Sequence, residues 1–236
     1  MGCRKGLGSP GACLGRLVSD RILSESKLRI PSFSLLGATV VSHCIQRVCV
    51  YCASSSLVDG EYKACAQSLG GLLARKGVTV VYGGGAIGLM GALADSALAE
   101  RGRVTGIIPR FMQELEWAHG GLTELCVVDD MRQRKRLLIE NVDAVVALPG
   151  GCGTLEELLE VITLKRLALY LNPIVLVNVR RYFDPLIQLF ENAIGERFMD
   201  PRHRSMWSVV DSADDVLPAI ETAPAWSAEA RGFSAL

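Results

Sequence analysis

Three stretches of the 236-residue chain bring together residue types that can do chemistry. The first is Leu148-Pro149-Gly150-Gly151-Cys152-Gly153-Thr154-Leu155-Glu156-Glu157. Here a proline stops an apolar run, three glycines let backbone approach a ligand, and a helical pattern begins at Thr154. Free amides at a helix start, with the positive end of the helix dipole, make an anion site. Thr154 and Glu157 also have the T-x-x-E spacing of a capping box, a purely structural use. A carboxylate at the mouth of an anion loop costs repulsion, so Glu157 turned inward would mean chemistry rather than capping. The second stretch, Gly83-Gly84-Gly85-Ala86-Ile87-Gly88, fits G-x-G-x-x-G between a strand and a helix. A dinucleotide would want an acid at the end of the next strand, where Pro109-Arg110 stands instead, so a glycine turn lining another phosphate or sugar is the better reading. The third, Asp129 to Arg136, puts Arg132, Arg134, Lys135 and Arg136 near the start of a helix. Such a run is ordinarily a solvated face. Arg134 and Lys135 point about 100° apart on a helix, and either could reach a phosphate.

These residues need a frame, and the pattern from Arg47 onward supplies one. Strands are expected at Val48–Ala53, Val78–Tyr82, Val104–Ile108, Glu124–Val128, Ala144–Leu148, Ile174–Val179 and Trp207–Val210. Helices are expected at Glu61–Lys76, Gly88–Arg101, Met131–Asn141, Thr154–Tyr170, Asp184–Ile194 and Asp214–Glu221. Strands alternating with helices of this length define an α/β fold: a Rossmann-like parallel sheet with helices on both faces, in three layers. Runs such as Ala144–Leu148 are apolar on both faces, as buried parallel strands are. Ligands of such sheets bind at the carboxyl ends of the strands, where both glycine loops fall. Asp129 and Asp130 would end a strand and cap the helix at Met131.

Composition excludes several classes of function. Twenty-five basic residues balance 25 acidic ones, so there is no basic surplus for nucleic acid or an anionic membrane. No apolar run approaches the roughly 20 residues of a membrane span. The domains expected are an N-terminal extension over 1–46, a catalytic domain over 47–222 and a frayed tail over 223–236. The extension holds six basic residues (Arg4, Lys5, Arg16, Arg21, Lys27, Arg29) against Asp20 and Glu25. Its composition fits an organelle transit peptide and equally an ill-ordered extension without function. The eight cysteines are scattered through apolar runs. Cys49 and Cys52 lie on a strand, where i and i+3 face opposite ways, so they read as buried thiols of a reducing, cytoplasmic compartment rather than a redox pair or zinc site.

The motif Pro149 to Glu157, P-G-G-x-G-T-x-x-E, resembles the signature of the LOG (Lonely Guy) cytokinin-activating phosphoribohydrolases, a family also called lysine decarboxylase-like. The likeness continues in Val48–Ser55, Tyr82–Gly85 with Gly88–Gly91, Gly106–Pro109 and Asp130–Lys135, covering about Arg47 to Glu221. It implies a homodimeric hydrolase without metal or organic cofactor that splits a cytokinin riboside 5′-monophosphate into free base and ribose 5-phosphate. Arg134 and Glu157 are then the catalytic pair. Glu116, Arg134, Lys135, the loop Gly151, Cys152, Gly153, Thr154, Leu155, Glu156 and Glu157, and Thr163 contact substrate. Gly83, Gly84, Gly85 and Gly88 are an additional pocket wall. Cys152 stands where the family usually has tyrosine and Leu164 where it has tryptophan, which bears on base preference.

Breaking an N-glycosidic bond develops positive charge on the ribose. A carboxylate at Glu157 would stabilise it and orient water, while amides of 151, 153 and 154 with Arg134 or Lys135 hold the phosphate. His119, in a glycine-flanked loop, is a candidate acid for the leaving base, though such a histidine is more often only solvated. Trp207 and Trp226 read as packing residues. Competing readings are a nucleotide-binding module without catalysis, a broader glycosidase that also cuts AMP, and an amino-acid decarboxylase. The last would need a lysine in a recognisable pyridoxal phosphate loop, which Lys63, Lys76, Lys135 and Lys165 do not supply.

Overall fold

Residues 44–115 and 117–233 are described in a computed structural model. The extension up to residue 43, Glu116 and the last three residues lie outside them. Seven strands form one parallel sheet: β1 (Arg47–Tyr51), β2 (Thr79–Tyr82), β3 (Val104–Pro109), β4 (Glu124–Val128), β5 (Ala144–Ala147), β6 (Ile174–Val177) and β7 (Ser208–Val210). Their order is β4-β3-β2-β1-β5-β6-β7. The chain therefore works outward from β1 in one direction, returns, and works outward from β5 in the other. Val48 pairs with both Val80 and Ala144, so β1 is hydrogen-bonded on both sides.

Alternation along β1 divides the core in two. Val48, Val50 and Cys52 pack on one face with Leu69 and Leu73 of α1 (Gly60–Arg75), Leu93 of α2 (Gly88–Ala99) and Val216 of α7 (Val216–Glu221). Cys49 and Tyr51 pack on the other with Leu138 of α4 (Met131–Ile139), Val161 of α5 (Cys152–Arg166) and Phe190 of α6 (Asp184–Gly195). The three layers are those the pattern predicts, and the two sulfurs of the C-x-x-C diverge to opposite faces.

Helix ends differ from the sequence reading for local reasons. Asp130 caps α4 by accepting from the Gln133 amide at 2.8 Å, a contact worth about 1 kcal/mol in such positions. Helix α5 starts at Cys152, two residues early, and stops at Arg166. Its stop is a Schellman turn: Ala168 takes a left-handed φ of 53°, its amide bonds the Lys165 carbonyl, and the Leu169 amide bonds that of Leu164. A short helix α3 (Arg110–Glu114), absent from the reading, follows β3.

The C-terminal segment is the larger correction. The stretch expected to fray is docked: Trp226 donates its indole N–H to the Lys165 carbonyl at 2.7 Å, Phe233 lies 5.6 Å from the buried His203 ring, and the Arg202 guanidinium sits 3.8 Å over Phe233. The interspersed alanines and serines concealed that aromatic pair. Underneath lies Lys165, 2% exposed, its ammonium bonded to the Asn172 carbonyl at 2.8 Å and to no carboxylate among the described residues. Burial pulls its pKa down from 10.5 to about 8.

A lowered lysine pKa means the unfolded chain binds more protons between pH 8 and 10.5, so stability rises with pH across that window. Below it, the buried cation costs the fold its full penalty. Lys165→Met should accordingly melt several degrees above wild type at pH 7, with the gap narrowing towards pH 10 in paired thermal melts. A gap independent of pH would contradict the assignment.

Candidate functional site

The crevice opens where strand order reverses, above the carboxyl ends of β1 and β5, flanked by those of β2 and β3. Three turns meet at this edge: 52–59 after β1, 83–87 after β2 and 148–151 after β5. They are tied to one another through backbone. The Leu148 amide bonds the Tyr51 carbonyl, and the Ala53 amide bonds that of Pro149.

The two glycine turns have different fates. At the start of α2, the amides of Leu89 and Met90 both donate to the Ala53 carbonyl, at 3.0 and 3.2 Å. Gly88 has a φ of +67°, and a Cβ on it would lie 2.4 Å from the Ser55 carbonyl oxygen. This helix start is occupied by protein and does not face a pyrophosphate, which removes the dinucleotide reading. At α5 the situation is reversed. Gly151 is the N-cap without any side-chain cap, and the first intrahelical bond runs from Leu155 to the Gly151 carbonyl. The amides of Gly151, Cys152, Gly153 and Thr154 have no acceptor among the described residues. Gly151, Cys152 and Gly153 are exposed and Thr154 is buried. The capping box expected of Thr154 and Glu157 does not form, because the helix begins before Thr154. Glu157 is thereby free for another role.

Arg134 comes from the first turns of α4 and is 8% exposed. Its Nε donates to the Ile107 carbonyl at 3.1 Å and its Nη2 to the Gly83 carbonyl at 2.9 Å. A Cβ on residue 83 would stand 2.3 Å from Nη2, so only glycine lets the guanidinium lie flat here. Among the described residues Nη1 has only the Met131 sulfur, at 3.9 Å. Arg134 lines a cavity of about 320 Å³ with Ser54, Met90, Ile108, Met112 and Trp117. One end is cationic and the rest mainly apolar.

Lys135 turns away to α5. Its ammonium holds Glu156 at 2.6 Å and Glu160 at 3.0 Å, and both bonds raise its pKa. A phosphate would have to compete with two carboxylates for it, so Arg134 is the better placed cation. Between these partners, half-buried Glu157 makes no hydrogen bond or ion pair with a described residue. Burial pushes its pKa up to about 7, against the pull of Arg134 and with a further push from Glu156. A carboxyl poised near neutrality beside a buried guanidinium is a functional-site signature.

The remaining expected residues divide. Leu155 is half-buried at the foot of the loop, and Thr163 lies on the exposed flank of α5, its hydroxyl donating back to the Leu159 carbonyl at 2.8 Å. A single chain does not bring Thr163 to the crevice. Glu116 lies outside the described residues. His119 is a clasp: its Nε2 meets Asp95 at 2.9 Å, and its Nδ1 accepts from the Gly121 amide at 3.0 Å. It is neither solvated nor turned into the cavity. Gly84 (φ +78°) and Gly85 shape the turn, Gly85 against Met90. Ser54, Met90, Met112 and Trp117 were missed as site residues. Trp117, three residues before Gly120-Gly121 in a loop, was the one signal available.

The parallel sheet with helices on both faces, the reversal of strand order beside β1 and the open helix start after β5 define a Rossmann-like protein. Solved structures of that fold include the molybdenum cofactor carrier protein of Chlamydomonas reinhardtii (TM-score 0.58, 17% identity, 76% of this chain and 98% of that one) and a molybdenum cofactor binding protein of Rippkaea orientalis (TM-score 0.57, 17% identity, 75% and 96%). At that identity the likeness is one of fold. A family profile described as "Possible lysine decarboxylase" matches residues 90–220. The cytokinin riboside 5′-monophosphate phosphoribohydrolase of Rhodococcoides fascians is 43% identical over 176 residues, 74% of this chain and 89% of that protein. One of the same name from Arabidopsis thaliana is 36% identical over 209 residues, 84% and 97%. The chain belongs to the LOG family, the group of proteins that the lysine decarboxylase-like profile describes.

A raised carboxyl pKa means the native state binds more protons than the unfolded one between about pH 4.5 and 7. Stability held by the protonated form is complete below 4.5 and is lost as pH rises through 7. Glu157→Gln, neutral at every pH, should melt above wild type at pH 8 and level with it near pH 4.5. Equal melting at pH 8 would mean Glu157 is solvated.

Proposed function

We propose that this protein hydrolyses the N-glycosidic bond of cytokinin riboside 5′-monophosphates, releasing the free base and ribose 5-phosphate. The observation that carries the reading is the half-buried, unpaired Glu157, on the helix whose first amides are open and within the electrostatic reach of Arg134. The relatives' names give the substrate class; the site gives a division of labour that suits it. The amides of 151–154 and Nη1 of Arg134 bind the dianionic 5′-phosphate. That fixes the ribose with its anomeric carbon towards Glu157. As the bond to the base lengthens, the ionised carboxylate stabilises the cationic sugar and orients the attacking water. The apolar walls from Met90, Ile108, Met112 and Trp117 suit an adenine with a hydrocarbon substituent, and each buried methylene is worth about 0.8 kcal/mol.

The decarboxylase reading has no lysine to work with among the described residues. Lys63 and Lys76 are exposed on α1 and its end, Lys135 is bound to two carboxylates, and Lys165 is walled in. The substrate is a small nucleotide rather than a nucleic acid. The active form proposed is a homodimer: Leu159 and Leu167, both 41% exposed, flank Thr163 on α5, and a second copy against this face would bring Thr163 to substrate. No helix of the described residues is long and apolar enough to cross a membrane. The free thiols at 44, 49, 52, 65, 126 and 152 support a reducing, cytoplasmic setting.

Incubation with isopentenyladenosine 5′-monophosphate, its riboside and AMP, followed by chromatography of free base, tests this. Base should appear from the monophosphate, at least tenfold more slowly from AMP, and scarcely from the riboside. kcat should rise through pH 7 to a plateau as Glu157 ionises. Arg134→Ala and Glu157→Gln should each lose about a hundredfold or more, the scale of removing one transition-state charge contact. Wild-type rates in either would remove that residue from the mechanism. Tight binding without turnover would make the protein a nucleotide-binding module.

A further inference from the structure

We infer that Tyr182 is a positioning residue for the anion loop, acting through the Gly150 carbonyl. Its hydroxyl donates to that oxygen at 2.5 Å, across 32 residues of sequence. In a trans peptide the carbonyl and the following N–H point in opposite directions. Holding the Gly150 oxygen towards Tyr182 therefore aims the Gly151 amide the other way, as the first of the four open donors. The same residue is gripped from its other side: a Cβ on Gly150 would stand 2.1 Å from the Thr154 hydroxyl. The loop's peptide plane is set by Thr154 beneath and Tyr182 above. The only proton of the hydroxyl goes to Gly150, so Tyr182 has no proton left to donate to a substrate.

The segment presenting Tyr182 is built for this one placement. Two consecutive non-glycine residues, Arg180 and Arg181, take left-handed φ values of 53° and 59°, a conformation that persists only where the surroundings dictate it. Asn178, 7% exposed, dictates it from below: its carbonyl accepts from the Arg181 amide at 2.9 Å, its side-chain oxygen from the Phe183 amide at 2.7 Å, and its amide group donates to Asp184 at 2.8 Å. Outside, Arg181 pairs with Asp184 and Arg180 with Asp59, each at 2.5 Å. The Tyr182 ring is wedged edge-on between Tyr62 at 6.0 Å and Phe183 at 5.2 Å. Asp59 also caps α1, so the turn after β1 and the turn after β6 both bear on the turn after β5.

This inference rests on the reading of 151–154 as the 5′-phosphate site. Tyr182→Phe deletes only the hydroxyl, and Tyr62→Phe is the control, its ring being in the same stack. Affinities for AMP, adenosine and ribose 5-phosphate are measured by calorimetry, and kcat and KM with isopentenyladenosine 5′-monophosphate. Tyr182→Phe should weaken AMP and ribose 5-phosphate about five- to tenfold and raise KM by a similar factor. Adenosine affinity and melting temperature should stay at wild-type values, and Tyr62→Phe should match wild type throughout. A general loss of structure would weaken adenosine equally and would overturn the inference, as would unchanged AMP affinity in Tyr182→Phe. A wild-type protein that binds AMP more tightly than adenosine yet cleaves no nucleotide would overturn the proposed reaction while leaving the loop test readable. If wild type binds AMP no better than adenosine, the inference fails with it.

Discussion

Everything at the site is placed by the reversal of strand order between β1 and β5. Parallel strands send their connections over one face on one side of the reversal and over the opposite face on the other. The helices that follow β1 and β5 leave on opposite faces of the sheet, and the turns before them stay joined through the Ala53 amide and the Pro149 carbonyl. Helix α5 begins there with its amides open. Arg134, delivered by α4, is fixed to the carbonyls of Ile107 and Gly83 at the ends of β3 and β2. Moving any of these groups would mean changing the direction in which the chain winds, which no local substitution does.

Within that frame, charge placement makes the chemistry. An isolated carboxylate in a half-buried position is unfavourable, and burial raises the Glu157 pKa to about 7 against the pull of Arg134. The neighbouring carboxylates are satisfied: Glu156 and Glu160 share Lys135. Glu157 is left without a partner among the described residues, one turn from the open amides proposed to hold the phosphate. Such an arrangement is a poor way to stabilise a helix and a good way to stabilise a transient cation on a sugar whose phosphate has just been secured. The cost shows as stability forgone, the usual sign of a functional site.

The sheet, its helices and both glycine loops were legible in the sequence because buried parallel strands leave continuous apolar runs and the intervening helices leave a 3.6-residue period. Glu157 was legible as a carboxylate closing a glycine loop, and Arg134 as one cation of a basic run at a helix start that the family resemblance singled out. What escaped was decided by long-range contacts. Nothing local distinguishes Gly88-Leu89-Met90, whose amides are taken by Ala53, from Gly151-Cys152-Gly153, whose amides are open. The capping-box spacing of Thr154 and Glu157 is real, yet the helix starts at Cys152 and leaves it unused. His119 is defined by Asp95, 24 residues away, and the docking of Trp226 and Phe233 depends on His203 and Lys165, which are distant in the chain. Tyr182 carries no motif; its hydroxyl matters only because the turn after β6 meets that after β5.

The central claim is that water attacks the sugar carbon of a nucleotide held by its phosphate, with Glu157 beside the bond that breaks. Turnover of isopentenyladenosine 5′-monophosphate in ¹⁸O-labelled water, read by mass spectrometry of the products, tests it most directly. The account predicts one labelled oxygen in ribose 5-phosphate and unlabelled free base, both formed about a hundredfold more slowly with Glu157→Gln. Label in inorganic phosphate, with the riboside left intact, would show that the phosphate loop holds the reacting group rather than the handle, and would contradict it.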